Sequence, residues 1–134
     1  MRFSWEDYLK LAHELAEAPQ GDPLAEARWR SAVSRAYFAA YHAVRAYAAE
    51  RRITTRERRT IGGGEVHEGA HGKLINALLN STWPEAPLIG HELSKLRGLR
   101  SQADYVPRSL GREQACFAID RAQRLICDAR NWRR

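Results

Sequence analysis

The chain has 134 residues, 44% of them hydrophobic and 28% charged, which suits one globular domain and is too short for two. It has no apolar run near the roughly 20 residues of a membrane-spanning helix and no charged-then-apolar leader before Ser4, so we expect a cytoplasmic protein with no membrane partner. The net charge of +6 comes almost entirely from arginine, which is typical of an RNA-binding face or a surface for an acidic protein, and equally of a chain encoded by a GC-rich genome.

Two helices are predicted in the first fifty residues. Ser4 is the expected N-cap of the first, because acidic residues follow it in the first turn, and this helix ends before Pro19. Asp22 and Pro23 are the expected cap and first residue of the second, which runs to about Glu50.

The second helix has two apolar faces. One stripe is predicted to face the core, and it consists of Trp29, Val33, Ala36, Tyr37, Ala40, Val44 and Tyr47. The opposite side carries alanines with Phe38, Arg35 and His42, so we expect another helix or a second copy of the chain to cover it. Arg35 and His42 lie two turns apart there. They are either a phosphate-binding arginine and a proton-transferring histidine, or a structural pair, with Arg35 bound to an acid such as Asp104 and His42 bound to a backbone carbonyl.

No periodicity is present from about residue 51 to residue 69, which predicts a mobile basic loop. Its arginines are candidates for RNA binding, and the alternative is a solvated loop that folds against an acidic partner. These candidates are Arg51, Arg52, Arg56, Arg58 and Arg59.

Three more helices are predicted, over about residues 70–80, over about residues 88–103, and after an N-cap at Ser109. Cys116 and Cys127 lie eleven positions apart on the last helix, too far for a disulfide, and are expected to be small buried hydrophobic residues. The elements predict one all-α domain over residues 1–134, an up-and-down bundle of about five helices.

The segment from His67 to His71 spells H-E-x-x-H, the pattern of a zinc protease. Gly69 lies inside it and weakens the helix that such a site needs, so we expect no metal site and no cofactor. The histidines would then contact RNA phosphate or cap the third helix.

Two segments resemble the HEPN family (higher eukaryote and prokaryote nucleotide-binding), and in particular its small bacterial members. Ser34-Arg35-Ala36-Tyr37-Phe38-Ala39-Ala40-Tyr41-His42 is similar to the family's second-helix pattern. Leu96-Arg97-Gly98-Leu99-Arg100-Ser101-Gln102-Ala103-Asp104-Tyr105 is similar to the end-of-helix motif of one bacterial branch. The order of the elements agrees over nearly the whole chain.

The resemblance implies a homodimer that acts on RNA as a metal-independent ribonuclease in a toxin–antitoxin or defence module. The family's catalytic motif is an arginine, four to six residues, and then a histidine. Here Arg97 or Arg100 is followed by Asp104 and Tyr105, with no histidine. Five candidate catalytic residues follow from this motif and from the pair on the second helix. They are Arg35, His42, Arg97, Arg100 and Asp104.

The resemblance also implies a partner. Bacterial members are often encoded beside a minimal nucleotidyltransferase, an antitoxin that can add a nucleotide to a tyrosine near the motif, and Tyr105 is the nearest tyrosine here. The alternative function is a non-catalytic module that binds RNA, nucleotide or such a partner protein, with Asp104 in a structural role.

Overall fold

A computed structural model describes residues 3–53, 58–59, 65–66 and 69–132, and within these ranges the chain forms five helices and a short β ladder. The helices are α1 (Glu6–Ala16), α2 (Ala25–Glu50), α3 (Ala70–Leu79), α4 (Ala86–Tyr105) and α5 (Arg112–Asn131). Strands β1 (Arg58–Arg59) and β2 (Glu65–Val66) pair antiparallel. The prediction of an all-α bundle is confirmed.

Helix α2 lies at the centre of the bundle and packs against each of the other four helices, most extensively against α5 and α1. The stripe of α2 that was predicted to face the core is buried along its whole length, from Trp29 to Tyr47. The 3.6-residue period of the apolar side chains therefore predicts this packing correctly. No helix in the described ranges is both long enough and apolar enough to cross a membrane.

Helices α3 and α4 approach each other closely at Gly90. A Cβ atom placed on Gly90 would lie 2.8 Å from the Cβ atom of Leu78 and 3.4 Å from the carbonyl oxygen of Ile75. The missing side chain is what allows the two helices to come this near, and α4 is held against α3 as a result.

The C-terminal end of α4 is fixed by Arg30 of α2. The Arg30 guanidinium donates hydrogen bonds to four backbone carbonyl groups in and just beyond the last turn of α4, those of Gln102, Ala103, Val106 and Arg108. Carbonyl groups at the end of a helix have no partner within the helix, and a cation placed there satisfies them. Arg30 thereby positions the segment that carries Asp104 and Tyr105.

Two local predictions about α5 are wrong. The helix begins at Arg112 with Gly111 as its N-cap, not after Ser109, because the side-chain carbonyl of Gln114 accepts the Gly111 N–H at 2.8 Å. Cys116 and Cys127 are exposed rather than buried, since alanine, leucine and isoleucine side chains fill the inward stripe of this helix.

The ladder of β1 and β2 lies within the segment predicted to be a mobile basic loop. The sequence does not predict these strands, because two residues each are too few to show an alternating pattern. Arg58 and Arg59 form β1, whereas Arg56 lies outside the described residues. The mobility of the loop stays a prediction.

Candidate functional site

Arg100 on α4 lies at the centre of a polar cluster on the surface of α2 and α4. Its guanidinium lies over the ring of Phe38, 5.2 Å from the centroid, and over the ring of Tyr105 at 5.8 Å. Its Nε atom lies 2.9 Å from Oδ2 of Asp104, one turn later on the same helix. Both charged side chains are about three-quarters buried, at 23% and 26% exposed, so the pair is held in one place.

Asp104 also connects α4 to α2. The hydroxyl group of Ser34 donates a hydrogen bond to its Oδ2 atom at 3.3 Å. The alternative in which Arg35 pairs with Asp104 is wrong, because Arg35 lies 4.9 Å from the ring centroid of Tyr8, on the side of α2 that faces α1. Ser34, one residue earlier, is turned by about 100° and therefore faces α4.

A histidine from a third helix lies in the same neighbourhood. Nδ1 of His71, in the first turn of α3, is 2.6 Å from the hydroxyl oxygen of Tyr37. The His71 ring also stacks on Tyr41, with 4.0 Å between the centroids and 20° between the planes. Tyr37 is fully buried. The hydrogen bond and the stacking together fix the position and the tilt of the imidazole.

Electrostatics connect His71 to the two arginines of the α4 motif. Burial lowers the pKa of His71, and the positive charges of Arg97 and Arg100 lower it further, so the imidazole is neutral at pH 7. Burial raises the pKa of Tyr37 to about 12, although the same two arginines oppose that rise. Tyr37 therefore keeps its hydroxyl proton. The charges of Arg97 and Arg100 on α4 thus act on His71 of α3 as well as on Tyr37.

Arg97 has no ion-pair partner among the described residues. It lies one turn before Arg100 and is half-buried. The exposed ring beside the arginine pair is that of Tyr105, which is 73% exposed and lies 5.8 Å from the guanidinium of Arg100. A cation next to an exposed aromatic ring suits a ligand with a phosphate and a base.

His42 lies at the edge of this cluster rather than within it. Its ring stacks on Trp5, with 3.4 Å between the centroids and 11° between the planes, and its edge contacts Tyr41. Burial lowers the pKa of His42, and the nearby charge of Arg45 adds to this effect. If His42 is a structural residue, the sequence predicts a hydrogen bond to a backbone carbonyl group. The described contacts of its ring are instead with Trp5 and Tyr41.

The face of α2 that carries Arg35 and His42 is only partly covered. Ala39, at its middle, is buried beneath α1. The ends of the face, at Arg28 and Ala49, are exposed. Within this chain the face is covered at its middle only, because α1 is much shorter than α2. Coverage of the rest by a second copy of the chain stays a prediction.

The two described arginine side chains of the basic segment, those of Arg51 and Arg52, differ in their exposure. Arg51 is 10% exposed, lies 4.6 Å from the ring centroid of Trp83, and pairs with Glu85 at 3.6 Å. Burial alone would raise the pKa of Glu85, but the hydrogen bond from Tyr47, its backbone amide and the charge of Arg51 outweigh it and lower that pKa. Arg52 is exposed and has a φ of 55°, in the left-handed region. Arg52 thus offers more surface to a ligand than Arg51 does.

The H-E-x-x-H segment lies partly outside the described residues. His67 and Glu68 lie outside the described residues, and His71 contacts Tyr37 and Tyr41. Within the described ranges, no three histidine, cysteine, aspartate or glutamate side chains are grouped so that they could hold a metal ion.

Comparison with known proteins gives one match. The family model described as "HEPN domain" matches residues 6–132, which is nearly the whole chain. No curated protein and no solved structure matches this sequence.

Proposed function

This chain belongs to the HEPN domain family, and from that premise we propose that it acts on RNA as a metal-independent ribonuclease. The observation that carries the proposal is that Arg100 and His71 both contact the ring of Phe38, at 5.2 Å and 5.9 Å, with Arg97 one turn before Arg100 on the same helix. A positive pair beside a neutral imidazole has the groups that cleavage at a phosphodiester needs without a metal ion.

The two arginines have the chemistry to bind the scissile phosphate. Guanidinium groups donate paired hydrogen bonds to phosphate oxygens, and they stabilise the extra negative charge of a pentacoordinate phosphorane. Arg97 has no competing carboxylate in the described part of the chain, whereas Arg100 is held in place by Asp104. We therefore assign phosphate binding mainly to Arg97. Arg100 would supply a second positive charge that Asp104 holds in a fixed position.

Exposed aromatic surface supports RNA as the substrate. Bases of single-stranded RNA stack on aromatic rings and on guanidinium planes, and this contributes about 1–3 kcal/mol per base. Tyr105 is largely exposed and lies beside Arg100, so both kinds of surface meet at the end of α4.

The experiment is an RNA cleavage assay in EDTA with the purified chain. We expect cleavage by the wild type and a loss of about a hundredfold or more in Arg97→Ala and Arg100→Ala. Arg124→Ala is the matched control, because Arg124 is an exposed arginine of α5 that pairs with Asp120 one turn away. The absence of cleavage by folded wild-type protein would reject the proposal, as would equal losses in all three variants.

A second candidate function is RNA binding without cleavage. The observation that favours it is the ion pair between Arg100 and Asp104, since the carboxylate occupies the position on α4 where the family's motif has a histidine and offsets part of the positive charge. Tight binding of RNA by folded protein, with no cleavage over a range of RNA sequences, would favour this function over the first.

We also propose a biological setting, a toxin–antitoxin or defence module in which the chain forms a homodimer and meets a nucleotidyltransferase-like partner. Tyr105 is the proposed acceptor, because its ring is 73% exposed at the end of α4. In that reaction the tyrosine oxygen attacks the α-phosphate of a nucleoside triphosphate, and pyrophosphate leaves.

Two measurements test this setting. Mass spectrometry after coexpression with a minimal nucleotidyltransferase should show one nucleotide adduct in the wild type and none in Tyr105→Phe. Light scattering should give twice the mass of the chain. An adduct on another residue, or a monomer at every concentration, would contradict the corresponding part of the proposal.

A further inference from the structure

We propose that His71 is the proton acceptor in RNA cleavage and that Tyr37 is the positioning residue that holds it. His71 lies on α3, outside both segments that resemble the family's motifs. The inference rests on the proposed ribonuclease function, and it names the group that the α4 motif lacks.

A hydrogen bond holds one edge of the His71 ring. Nδ1 faces the hydroxyl group of Tyr37, which is fully buried and cannot move far. Nε2 has no hydrogen-bond partner within the described ranges, and the residue is half-buried. In the proposed role this nitrogen meets the substrate, while the bound nitrogen anchors the ring.

This arrangement matches the way proteins hold a histidine that accepts protons. When Nδ1 carries the ring hydrogen and donates it to the oxygen of Tyr37, Nε2 keeps its lone pair. The hydrogen bond persists after Nε2 takes up a proton, and it then stabilises the imidazolium. Stacking on Tyr41 prevents the ring from tilting during the transfer.

The reaction step is a transesterification within the RNA. Nε2 of His71 accepts the proton of a ribose 2′-hydroxyl, and the 2′-oxygen forms a bond to phosphorus. The bond between phosphorus and the 5′-oxygen of the next nucleotide breaks, and that oxygen takes a proton from water. His71 later releases its proton to solvent. The products are a 2′,3′-cyclic phosphate and a 5′-hydroxyl end.

The arginines make His71 a conditional base. In the free protein burial keeps the pKa of His71 low, and the charges of Arg97, Arg100 and His42 lower it further, so the ring is neutral and ready to accept a proton. A bound phosphodiester brings negative charge to the arginines and offsets their effect on the ring. Binding of RNA therefore raises the basicity of His71 at the moment when it is needed.

His42 has a different environment. Trp5 covers one face of its ring, and the nearby charge that lowers its pKa is that of Arg45, not that of an α4 arginine. Within the described part of the cluster, the ring contact of His42 is a T-shaped one with Tyr41, with 5.0 Å between the centroids. We therefore assign the proton transfer to His71 rather than to His42.

The test uses an oligonucleotide with a single ribose among deoxyriboses, so that only one bond is scissile, and EDTA is present throughout. The variants are His71→Gln and Tyr37→Phe, with His91→Gln as the matched control, since His91 is exposed on α4. Binding is measured separately with the same oligonucleotide carrying a 2′-O-methyl group at the ribose, which cannot be cleaved.

We expect His71→Gln to lower kcat by about a hundredfold or more while affinity for the methylated oligonucleotide stays within about twofold. The plot of kcat/KM against pH should fall on the acid side with a midpoint below 6.5. Tyr37→Phe should move that midpoint to lower pH, because the imidazolium loses a hydrogen-bond acceptor. A merely structural Tyr37 would change stability without moving the midpoint.

The outcomes separate the two proposals. Full activity in His71→Gln, or an equal loss in His91→Gln, would reject the role of His71 and leave the ribonuclease function in place. No cleavage by the wild type would reject both. If His71→Gln fails to fold, the pH profile of Tyr37→Phe decides, and an unmoved midpoint rejects the inference.

Discussion

Replacement of Gly90 by alanine should destabilise the bundle, although the same change within a helix normally stabilises it. Alanine has the higher helix propensity, by about 1 kcal/mol. The new Cβ atom, however, would lie 2.8 Å from Cβ of Leu78, which is fully buried in α3. A Cβ atom cannot rotate away, so one of the two helices has to move.

The size of the effect follows from the balance of these two terms. Overpacking of this kind costs about 1–3 kcal/mol, and the gain in propensity offsets about 1 kcal/mol of it. We therefore expect the free energy of unfolding to fall by up to about 2 kcal/mol. For a domain of this length, this corresponds to a decrease in Tm of up to roughly 7 °C.

Gly98 provides the matched control on the same helix. A Cβ atom at Gly98 would meet no atom within 4 Å. Gly98→Ala should therefore raise the free energy of unfolding by about 1 kcal/mol. The assay is urea and thermal unfolding followed by circular dichroism at 222 nm. If Gly90→Ala proves as stable as Gly98→Ala, the close packing of α3 against α4 is wrong.

Three further predictions concern the charged groups. Arg30→Met should lower the free energy of unfolding by about 2–4 kcal/mol, because four carbonyl groups lose a charged donor. Urea titrations measure this change. A change as small as that of the control variant Arg124→Met would contradict the role of Arg30. The pKa of Glu85 is lowered on folding, so its contribution to stability is complete above about pH 4.5 and is lost as the pH falls through the folded pKa. Glu85→Gln should remove this acid dependence from the Tm, and an unchanged profile would count against the pairing with Arg51. Arg97→Ala should reduce the slope of log Kobs for single-stranded RNA against log salt concentration by about 0.7, and an unaltered slope would show that Arg97 contacts no phosphate.

The sequence predicts the helices and the core because these depend on local periodicity. The stripe from Trp29 to Tyr47 follows from the spacing of apolar residues along a single helix, and it is buried as expected. The prediction of Ser109 as the N-cap of α5 is wrong, because the observed cap at Gly111 depends on the side chain of Gln114. A rule that looks for serine at the cap position does not include this interaction. Local rules thus predict where helices lie better than where they begin.

The candidate site depends on contacts between distant residues, and these cannot be read from one sequence. Arg30 reaches carbonyl groups more than 70 residues away, and His71 bonds to Tyr37, which is 34 residues earlier. From the sequence, His71 is part of a zinc-like pattern and a candidate contact for RNA phosphate or cap of the third helix. Its bond to Tyr37 is not predicted, because it depends on the first turn of α3 lying against the aromatic face of α2.

Together the α4 arginines and His71 are proposed to cleave RNA without a metal ion. Mass spectrometry of the products formed from the single-ribose oligonucleotide by wild type and His71→Gln in EDTA tests this in one step. We expect a 2′,3′-cyclic phosphate and a 5′-hydroxyl end with the wild type and almost no product with the variant. Intact substrate with folded wild-type protein, or the same products at the same rate with His71→Gln, would contradict it.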